Sequence, residues 1–400
     1  MAYAHTTPVV YAAKRTPHGL FGGQCFSLHA HEWMSPLLRA CAQESQGHEV
    51  RSVVLGCVLS AGLGQAPARQ ATLTAGLPDH THAMHINKVC GSGMMAVIHA
   101  CQDLYHDPAQ LILAGGMESM SGAPCLVNGR FGYRFGHQTA QDHLLYDGLE
   151  DAYDGEPMGC LAEDVATSHK LSRDVQDDYA IHSAKRALEA DESGFFDQER
   201  MPIKGHKHTL DRDETLSRVK VERVKTLTPA FKKDGTITPA TSSALADGAS
   251  VLGLTSWSHL KNTQLQPRAA IVGWASFSGP PRAFTLAPIG AVNQLLHDLS
   301  WRVEDVDAWE VNEAFAVVPL ALQKTLGLSQ DNLNMWGGAL ALGHPLGSSG
   351  SRILVTLLHV LEHTQGRRGV AAICIGGGEG LAVAMERIDR EGLPRLTHLC

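Results

Sequence analysis

The stretch CGSGMMAVIHACQDLYHDPAQLILAGG, residues 90–116, contains a glycine-rich turn, an apolar segment with helical periodicity (Met94–Leu104) and an apolar run that ends in glycines. The stretch HPLGSSGSRILVTLLHVLEHTQGRRGVAAICIGGG, residues 344–378, repeats this order, with Ser351–Leu361 as its helical segment. A strand-like run opens each half of the chain ahead of these stretches, TPVVYAAKRTP in the first half and RAAIVGWASF in the second. We infer two related α/β units.

Short apolar runs alternate with helical segments along the chain, which favours an α/β fold over an all-α or all-β fold. Because the runs do not alternate strictly between apolar and polar residues, we expect the strands to be buried on both faces. A duplicated fold places a central site between its halves, where residues near 90 meet residues near 344 and 374. The predicted strands are Val9–Ala12, Ser52–Cys57, Leu111–Ala114, Ile271–Ala275, Val370–Ile375 and Ala382–Glu386.

Composition excludes several classes of protein. Of the 400 residues 44% are hydrophobic and 18% charged, which is typical of a folded chain and not of a disordered one. The chain has 33 Lys+Arg and 41 Asp+Glu, and the resulting net charge of −8 argues against general nucleic-acid binding. No apolar segment approaches the roughly 20 residues of a membrane span, so we expect no membrane association.

The nine cysteines are scattered and form no CxxC pair, which argues against a disulfide framework or a zinc ribbon. With no signal-peptide pattern at the start, a reduced, cytoplasmic protein is predicted. The histidine pairs His29/His31, His80/His82 and His206/His208 lack a coherent third and fourth ligand. No metal site is therefore expected.

Residues 120–249 interrupt the alternation of strands and helices. They include SGAPCLVNGRFGYRFG, a charged helical stretch over Arg173–Asp191, and KGHKHTLDRDETLSR. A segment of this length is too long for an ordinary connector, and such insertions usually form lids, binding loops or assembly surfaces.

Two residues are candidates for nucleophilic chemistry. Cys90 precedes a predicted helix, whose positive dipole end favours a thiolate, and the following glycines let an acyl group approach the backbone. Its alternative role is that of a buried apolar cysteine. His344, in GGALALGHPLGSSGSRI, could take the thiol proton, or it could be a structural loop histidine.

Three further residues complete the candidate site. Cys374 ends the most apolar strand of the second half, where a thiol could exchange a proton with a carbon acid, or simply fill the core. Gly376 and the two glycines after it expose N–H groups that can hold an oxyanion. Asn312, in NEAFA, could hold a catalytic water or cap a helix.

The ordered set NKVCGSGMMAV, NEAFA, GGALALGHPLGSSGSRI and CIGGGEG strongly resembles the thiolases. Further matches are AAKRTPHGLFGG, LILAGGMESMSGAP, LSRDVQDDYAIHSAKRA and GTITPATSSALADGAS, so the resemblance extends from Val9 to about Met385. It implies a five-layered α/β/α/β/α core built from two duplicated βαβαβ-type halves. The implied domains are residues 1–119 with 250–268, a loop domain over 120–249 that covers coenzyme A, and residues 269–400.

The resemblance also implies roles for the site residues. Cys90 would be the acyl-accepting nucleophile, His344 its activator and Cys374 the acid/base at the carbon α to the thioester. Asn312 (through a water) and His344 would form one oxyanion hole, and the N–H groups of Cys90 and Gly376 a second. The residues implied to contact coenzyme A are Ser243, Met158, Phe315 and Lys225.

This chain departs from the family at two positions near the implied ligand. Pro157 precedes Met158 where many short-chain thiolases carry His, and some longer-chain degradative members share the Pro. Thr228 stands where the family has an Arg near the nucleotide end of coenzyme A, and Lys225 or Arg223 could replace that charge only in part. The tail DREGLPRLTHLC extends past the usual last strand.

The predicted function is therefore reversible acetyl transfer between two acetyl-CoA molecules, giving acetoacetyl-CoA and CoA. The alternative is a degradative 3-ketoacyl-CoA thiolase, and a non-catalytic acyl-CoA carrier on the same scaffold is a third interpretation. Cys374 and NEAFA argue against other condensing enzymes, and a papain-like hydrolase would not require the second cysteine. The chain also lacks the GxGxxG pattern of a nicotinamide-dependent dehydrogenase. We expect coenzyme A as a substrate, no prosthetic group, and a homo-oligomer, either a dimer or a tetramer.

Overall fold

The first half of the chain alternates strands and helices where its apolar runs predict them. The structure is a computed structural model that describes residues 3–132 and 135–388. The elements of this half are β1 (Pro8–Arg15), β2 (Gly19–Leu20), α1 (Ala30–Glu44), β3 (Val50–Gly56), α2 (Pro67–Thr74), β4 (His82–Ile86), α3 (Ser92–His106) and β5 (Leu111–Ser119).

The segment after β5 contains mostly short elements and long connections. They are β6 (Cys125–Leu126), β7 (Gln141–Asp142), a π-helical turn (Leu145–Leu149), α4 (Met158–Ser168), α5 (Arg173–Glu192), β8 (Ile203–Lys204) and β9 (Thr209–Leu210). Helix α5 confirms the charged helix predicted over Arg173–Asp191. Two short 3-10 helices, Glu214–Arg218 and Val221–Thr226, precede the return to the main sheet.

The remaining elements return the chain to the main sheet and build the second half. They are β10 (Ala246–Ser256), α6 (Trp257–Leu260), β11 (Ala269–Ser278), α7 (Ala287–Leu299), β12 (Ala308–Val311), α8 (Val317–Leu326), α9 (Ala339–Leu342), α10 (Leu346–Thr364), β13 (Arg368–Ile375) and β14 (Glu379–Arg387). All six predicted strands are present.

Strand pairing confirms the duplication. The first half has the order β3-β5-β10-β1 and the second the order β12-β13-β14-β11. In each set the first pair is parallel and the next two are antiparallel. Antiparallel pairing of Val9 and Val10 with Ala270 and Ala269 joins the two sets. The inserted segment lies between β5 and β10, where the second half has only the turn 376–378.

Alternating residues of the strands pack against different helical layers. Leu111 and Leu113 of β5 pack in the same cluster as α1, whereas Ile112 and Ala114 pack in the cluster that holds α3 and α10. In β13, Ile373 faces this same central helical layer, and the neighbouring positions pack with α7 and α8. The result is five layers, α/β/α/β/α, with α3 and α10 in the centre.

The two central helices approach each other closely at their starts. A Cβ atom on Gly93 would lie 2.7 Å from the Gly347 carbonyl oxygen, and one on Gly350 would lie 2.5 Å from the Met94 nitrogen. Only glycine fits where backbone meets backbone at this distance. The contact brings the turn before α3 next to the loop before α10, which are the two predicted parts of the site.

A buried ion-pair network fastens the inserted segment to β1. The fully buried Arg15 guanidinium bonds the Glu199 carboxylate and both carboxylate oxygens of Asp213, at 2.6 and 3.0 Å for the latter. Strand β10 runs across the predicted domain boundary at 249/250, so the inserted segment ends four residues earlier, at 245. Residues 389–400 of the predicted C-terminal half, which are the whole of the tail DREGLPRLTHLC, lie outside the described residues.

Candidate active site

Cys90 occupies a tight turn directly before α3, as predicted. Its neighbour Val89 has φ +46°, a conformation that is strained for a β-branched residue. The Ser92 hydroxyl fastens the turn because it donates to the Val89 carbonyl (2.6 Å) and accepts from the Lys88 N–H (2.8 Å). A Cβ on Gly91 would lie 2.4 Å from Ile375, so the turn also packs against the end of β13.

The Cys90 thiol is protonated at rest. Burial raises its pKa to about 11, and the negative charge of Glu118 adds a smaller rise, although the Gly376 N–H donates to the sulfur and favours the thiolate. The sequence-based expectation that the helix start favours a thiolate is therefore wrong for the resting site, because desolvation outweighs the nearby N–H groups. A base must take the proton before Cys90 can attack.

The hydrogen bonds and the protonation state of His344 suit it to act as this base. Its Nδ1–H donates to the Ser349 hydroxyl at 2.5 Å, and that hydroxyl donates to the Pro345 carbonyl at 2.9 Å. This pairing leaves the lone pair on Nε2, which is buried and has no hydrogen-bond partner among residues 3–132 and 135–388. Burial, followed by the charges of Arg352 and His18, lowers the pKa of His344 to about 3, so the ring is neutral.

Cys374 lies at the end of β13 and is fully buried. Burial raises the pKa of its thiol well above the usual value, and the proximity of Cys90 raises it further. The structure thus brings the two sulfurs together. The turn that follows requires glycine at two positions, since Gly377 and Gly378 have φ values of +90° and +88°.

Asn312 follows β12 and is completely buried. Its backbone N–H donates to the Ala372 carbonyl at 2.9 Å, but neither end of its side-chain amide bonds any described residue. The helix-cap alternative is wrong, because α8 begins only at Val317. A buried amide with both ends free indicates a position for water or a ligand atom.

Glu313, next to Asn312, has a structural role. Its carboxylate accepts hydrogen bonds from the Tyr179 and Ser183 hydroxyls, at 2.8 and 2.7 Å, and from the Leu340 N–H at 3.1 Å. It therefore fastens α5 and α9 beside the NEAFA loop.

Three of the residues predicted to contact coenzyme A lie beside these loops. Ser243 donates its N–H to the Ala314 carbonyl at 2.9 Å. The Phe315 ring meets Phe231 at 5.9 Å between centroids. Met158 begins α4, and its Cε would lie 3.6 Å from a Cβ on Gly376.

Lys225 lies apart from these three residues. It is exposed in a short 3-10 helix, and its ammonium pairs with Asp178 of α5 at 2.7 Å. Thr228, at the departure from the family pattern, is also exposed.

An apolar cluster that the sequence analysis did not predict packs against Cys90. Its buried members are all at most 4% exposed, and they come from the ends of β3 and β5, from the start of α10 and from the chain just before the π-helical turn. They are Val58, Leu59, Met120, Leu144 and Leu346. We call this group the leucine cluster.

Sequence reasoning also missed Glu118, Ser349 and Arg352, which are all buried near the candidate catalytic residues. An acid or a base inside an otherwise apolar run, as in LILAGGMES and SRILVTLL, is the signal that could have identified Glu118 and Arg352.

Two negative findings concern the described part of the chain. No group of three or more His, Cys, Asp or Glu side chains is arranged there to hold a metal ion. None of its helices combines the length and apolar character needed to cross a bilayer.

Comparisons with known proteins agree with the motifs. The profile "Thiolase, N-terminal domain" matches residues 8–258 and "Thiolase, C-terminal domain" matches residues 265–387. A probable acetyl-CoA acyltransferase of Staphylococcus aureus is 40% identical over 391 residues, covering 96% of this chain and 99% of the relative. A probable acetyl-CoA acetyltransferase of Dictyostelium discoideum is 42% identical over 388 residues, covering 95% and 94%.

Two solved structures have the same fold. The Acat5 thiolase from Ascaris suum in complex with coenzyme A superimposes with a TM-score of 0.90 at 38% identity, covering 96% of this chain and all of that one. Human mitochondrial 3-ketoacyl-CoA thiolase in complex with CoA gives a TM-score of 0.92 at 37% identity, covering 96% and 99%.

Proposed function

The chain belongs to the thiolase family and is an acyltransferase, and we propose that it transfers acetyl groups reversibly between two acetyl-CoA molecules to give acetoacetyl-CoA and CoA. The reaction follows a ping-pong course through an acyl-Cys90 intermediate. One observation carries the proposal. A protonated Cys90 accepts the Gly376 N–H near Cys374, and His344 is neutral with a buried Nε2 that bonds no described residue.

The first half-reaction uses Cys90 and His344. His344 Nε2 takes the thiol proton, and the Cys90 sulfur attacks the carbonyl carbon of acetyl-CoA. The bond from that carbon to the CoA sulfur then breaks, and the departing CoA thiolate takes the proton of Cys374, which leaves Cys374 as a thiolate and His344 protonated. The acetyl group stays on Cys90, with its oxygen held by the N–H groups of Cys90 and Gly376.

The second half-reaction uses Cys374. As a thiolate, Cys374 removes a proton from the α-carbon of a second acetyl-CoA, whose enolate oxygen is stabilised by His344 and by a water on Asn312. The carbanion attacks the acetyl carbon, a carbon–carbon bond forms, and the bond to the Cys90 sulfur breaks. Protonated His344 returns the thiol proton to that sulfur, Cys374 keeps the α-proton, and acetoacetyl-CoA leaves, so both thiols are protonated again.

The leucine cluster supports an acetyl group over longer acyl chains, because buried side chains occupy the space next to Cys90. A hydrophobic pocket of this kind discriminates by roughly 1–3 kcal/mol per methylene group. The alternative is a 3-ketoacyl-CoA thiolase of fatty-acid degradation. Pro157 favours that alternative, and the names of the relatives divide between acetyl and acyl transfer.

We propose that coenzyme A is the substrate carrier and that Ser243, Met158 and Phe315 hold it. No prosthetic group takes part in the proposed reaction. Two relatives are named as complexes with coenzyme A. A contribution from Lys225 to the binding of coenzyme A would require its ammonium to leave Asp178.

We also propose a homo-oligomer, a dimer or a tetramer, in the cytoplasm. The half-exposed strand β4 at the edge of the main sheet supports self-association.

Thiolysis of acetoacetyl-CoA and of a longer 3-ketoacyl-CoA tests the proposal. The wild type should cleave the short substrate far better, and Cys90→Ser should abolish cleavage. Cys101→Ser is the matched control, because Cys101 is a buried cysteine of α3 away from the site. Efficient cleavage of the long substrate would establish the degradative alternative. A folded wild type that cleaves neither substrate would refute both.

A further inference from the structure

A buried carboxylate joins the two halves of the molecule between the candidate catalytic residues. Glu118 belongs to β5 in the first half and is fully buried. Its Oε1 accepts from the Leu59 N–H at 3.1 Å, and its Oε2 accepts from the Val58 N–H at 3.1 Å. Oε2 also accepts from the Gly347 N–H of the second half, at 2.8 Å.

These donors belong to segments that hold the chemistry. Val58 and Leu59 are members of the leucine cluster, against which Cys90 packs. Gly347 is the second residue of α10 and lies three residues after His344. The Glu118 side chain therefore fixes both the part of the leucine cluster that packs against Cys90 and the start of α10, which follows His344.

Burial raises the pKa of Glu118 to about 7, and the three N–H groups that it accepts limit this rise, so the carboxylate is ionised above about pH 7. The N–H group of a helix's first turn prefers an anion, and all three of these donors are backbone N–H groups. The other titratable groups that face Glu118 are the Cys57 thiol, 3.9 Å from Oε1, together with Asp247 and Cys90. A Cβ on Gly347 would lie 2.9 Å from Oε2, so the contact also requires glycine at that position.

We propose that Glu118 is a positioning residue: its carboxylate holds the start of α10, and through it His344, at the distance from the Cys90 turn that proton transfer requires. The proposal rests on the proposed function of Cys90 and His344. Because Glu118 does not touch the reacting atoms, its loss should lower kcat and leave the binding of coenzyme A largely unchanged.

The isosteric variant Glu118→Gln isolates this role. An amide has one acceptor oxygen, so its NH2 group must face one or two of the three N–H donors. We expect kcat for acetoacetyl-CoA thiolysis to fall roughly tenfold to a hundredfold, with KM changed by less than about threefold.

A second readout separates positioning from a general loss of stability. The negative charge of Glu118 raises the pKa of the Cys90 thiol, so Glu118→Gln should lower the midpoint pH at which iodoacetamide alkylates Cys90. Alkylation thus becomes easier while turnover becomes slower. Because a loss of burial would also lower the Cys90 pKa, the profile is measured on Glu118→Gln whose thermal unfolding midpoint matches that of the Glu163→Gln control, so that the shift reports the lost charge.

Glu163→Gln is the matched control. Glu163 is a buried carboxylate that accepts the N–H groups of Thr236 and Ile237, each at 2.7 Å, but it bonds neither helix start. Its substitution should leave the alkylation midpoint unchanged. Should Glu118→Gln fail to fold, Glu118→Asp, which retains the charge but shortens the reach, should lower kcat without moving the midpoint.

Three results would overturn the proposal: wild-type kcat in folded Glu118→Gln, wild-type kcat in Glu118→Asp, or equal shifts of the midpoint in Glu118→Gln and Glu163→Gln. If the wild type itself shows no thiolysis, the proposed function fails. The alkylation profiles of Glu118→Gln and Glu163→Gln still test the coupling of Glu118 to Cys90 in that case.

Discussion

Replacing Ser349 with alanine should disable His344 without touching the substrate. The Ser349 hydroxyl is the acceptor for His344 Nδ1–H, at 2.5 Å, and is itself held by the Pro345 carbonyl. Without it, a buried N–H has no acceptor, or the proton moves to Nε2 and the ring can no longer accept the Cys90 proton. An unsatisfied buried donor costs about 1–3 kcal/mol, so we expect kcat to fall about 5- to 150-fold.

The assay is steady-state thiolysis of acetoacetyl-CoA by the folded variant, with kcat and KM measured separately. Ser348→Ala is the control, because Ser348 is the preceding residue of α10, is equally buried, and bonds Ser250 at 2.9 Å instead of His344. It should lose stability of the order of 1 kcal/mol but keep its kcat. Equal kcat values for the two variants, or an effect of Ser349→Ala confined to KM, would refute the argument.

Three further predictions concern packing, acid stability and chain length. Gly116→Ala would place a Cβ of β5 1.9 Å from the Gly347 carbonyl oxygen of α10, so the thermal unfolding midpoint should fall by several degrees. An unchanged midpoint would show that α10 can move away from β5. Burial lowers the pKa of His344 to about 3 and that of His18 to about 4, so the unfolded state binds more protons below about pH 6.5. The free energy of unfolding, measured with urea, should therefore decrease as the pH falls from about 6 to 4. His18→Gln should make this dependence on pH less steep by up to about 1.4 kcal/mol per pH unit. If the variant and the wild type show the same dependence, His18 is not buried in its neutral form. Leu144→Ala should raise kcat/KM for a longer 3-ketoacyl-CoA relative to acetoacetyl-CoA by roughly tenfold, and a constant ratio would show that the acyl chain does not enter the leucine cluster.

Local sequence patterns predicted six of the strands and the helices α3, α5 and α10, and they identified the candidate residues, but they did not predict β4, β10 or β12. The run LILAGG predicted β5, and the glycine-rich turns predicted the starts of α3 and α10, because apolar periodicity and glycine conformation act over a few residues. The duplication was also detectable, since both halves carry the same order of turn, helix and strand. Its length alone marked residues 120–249 as an insertion.

Properties that depend on burial or on distant contacts were not accessible in this way. The helix start suggested a thiolate at Cys90, but the folded structure surrounds the sulfur with enough protein to raise its pKa instead. Asn312 could have been a helix cap, and only the position of α8 excludes this. Lys225 remains a predicted ligand contact that the structure pairs with Asp178.

Glu118 shows the physical reason most clearly. Its residue type is visible in LILAGGMES, but its partner Gly347 lies 229 positions away, and no periodicity connects them. The amino-acid order determines the local elements and supplies the chemical groups, because these depend on short-range sterics and apolar patterning. Protonation states and the geometry between Cys90 and His344 are decided by the packing of the two halves, since desolvation and cross-half hydrogen bonds exist only once both halves are folded.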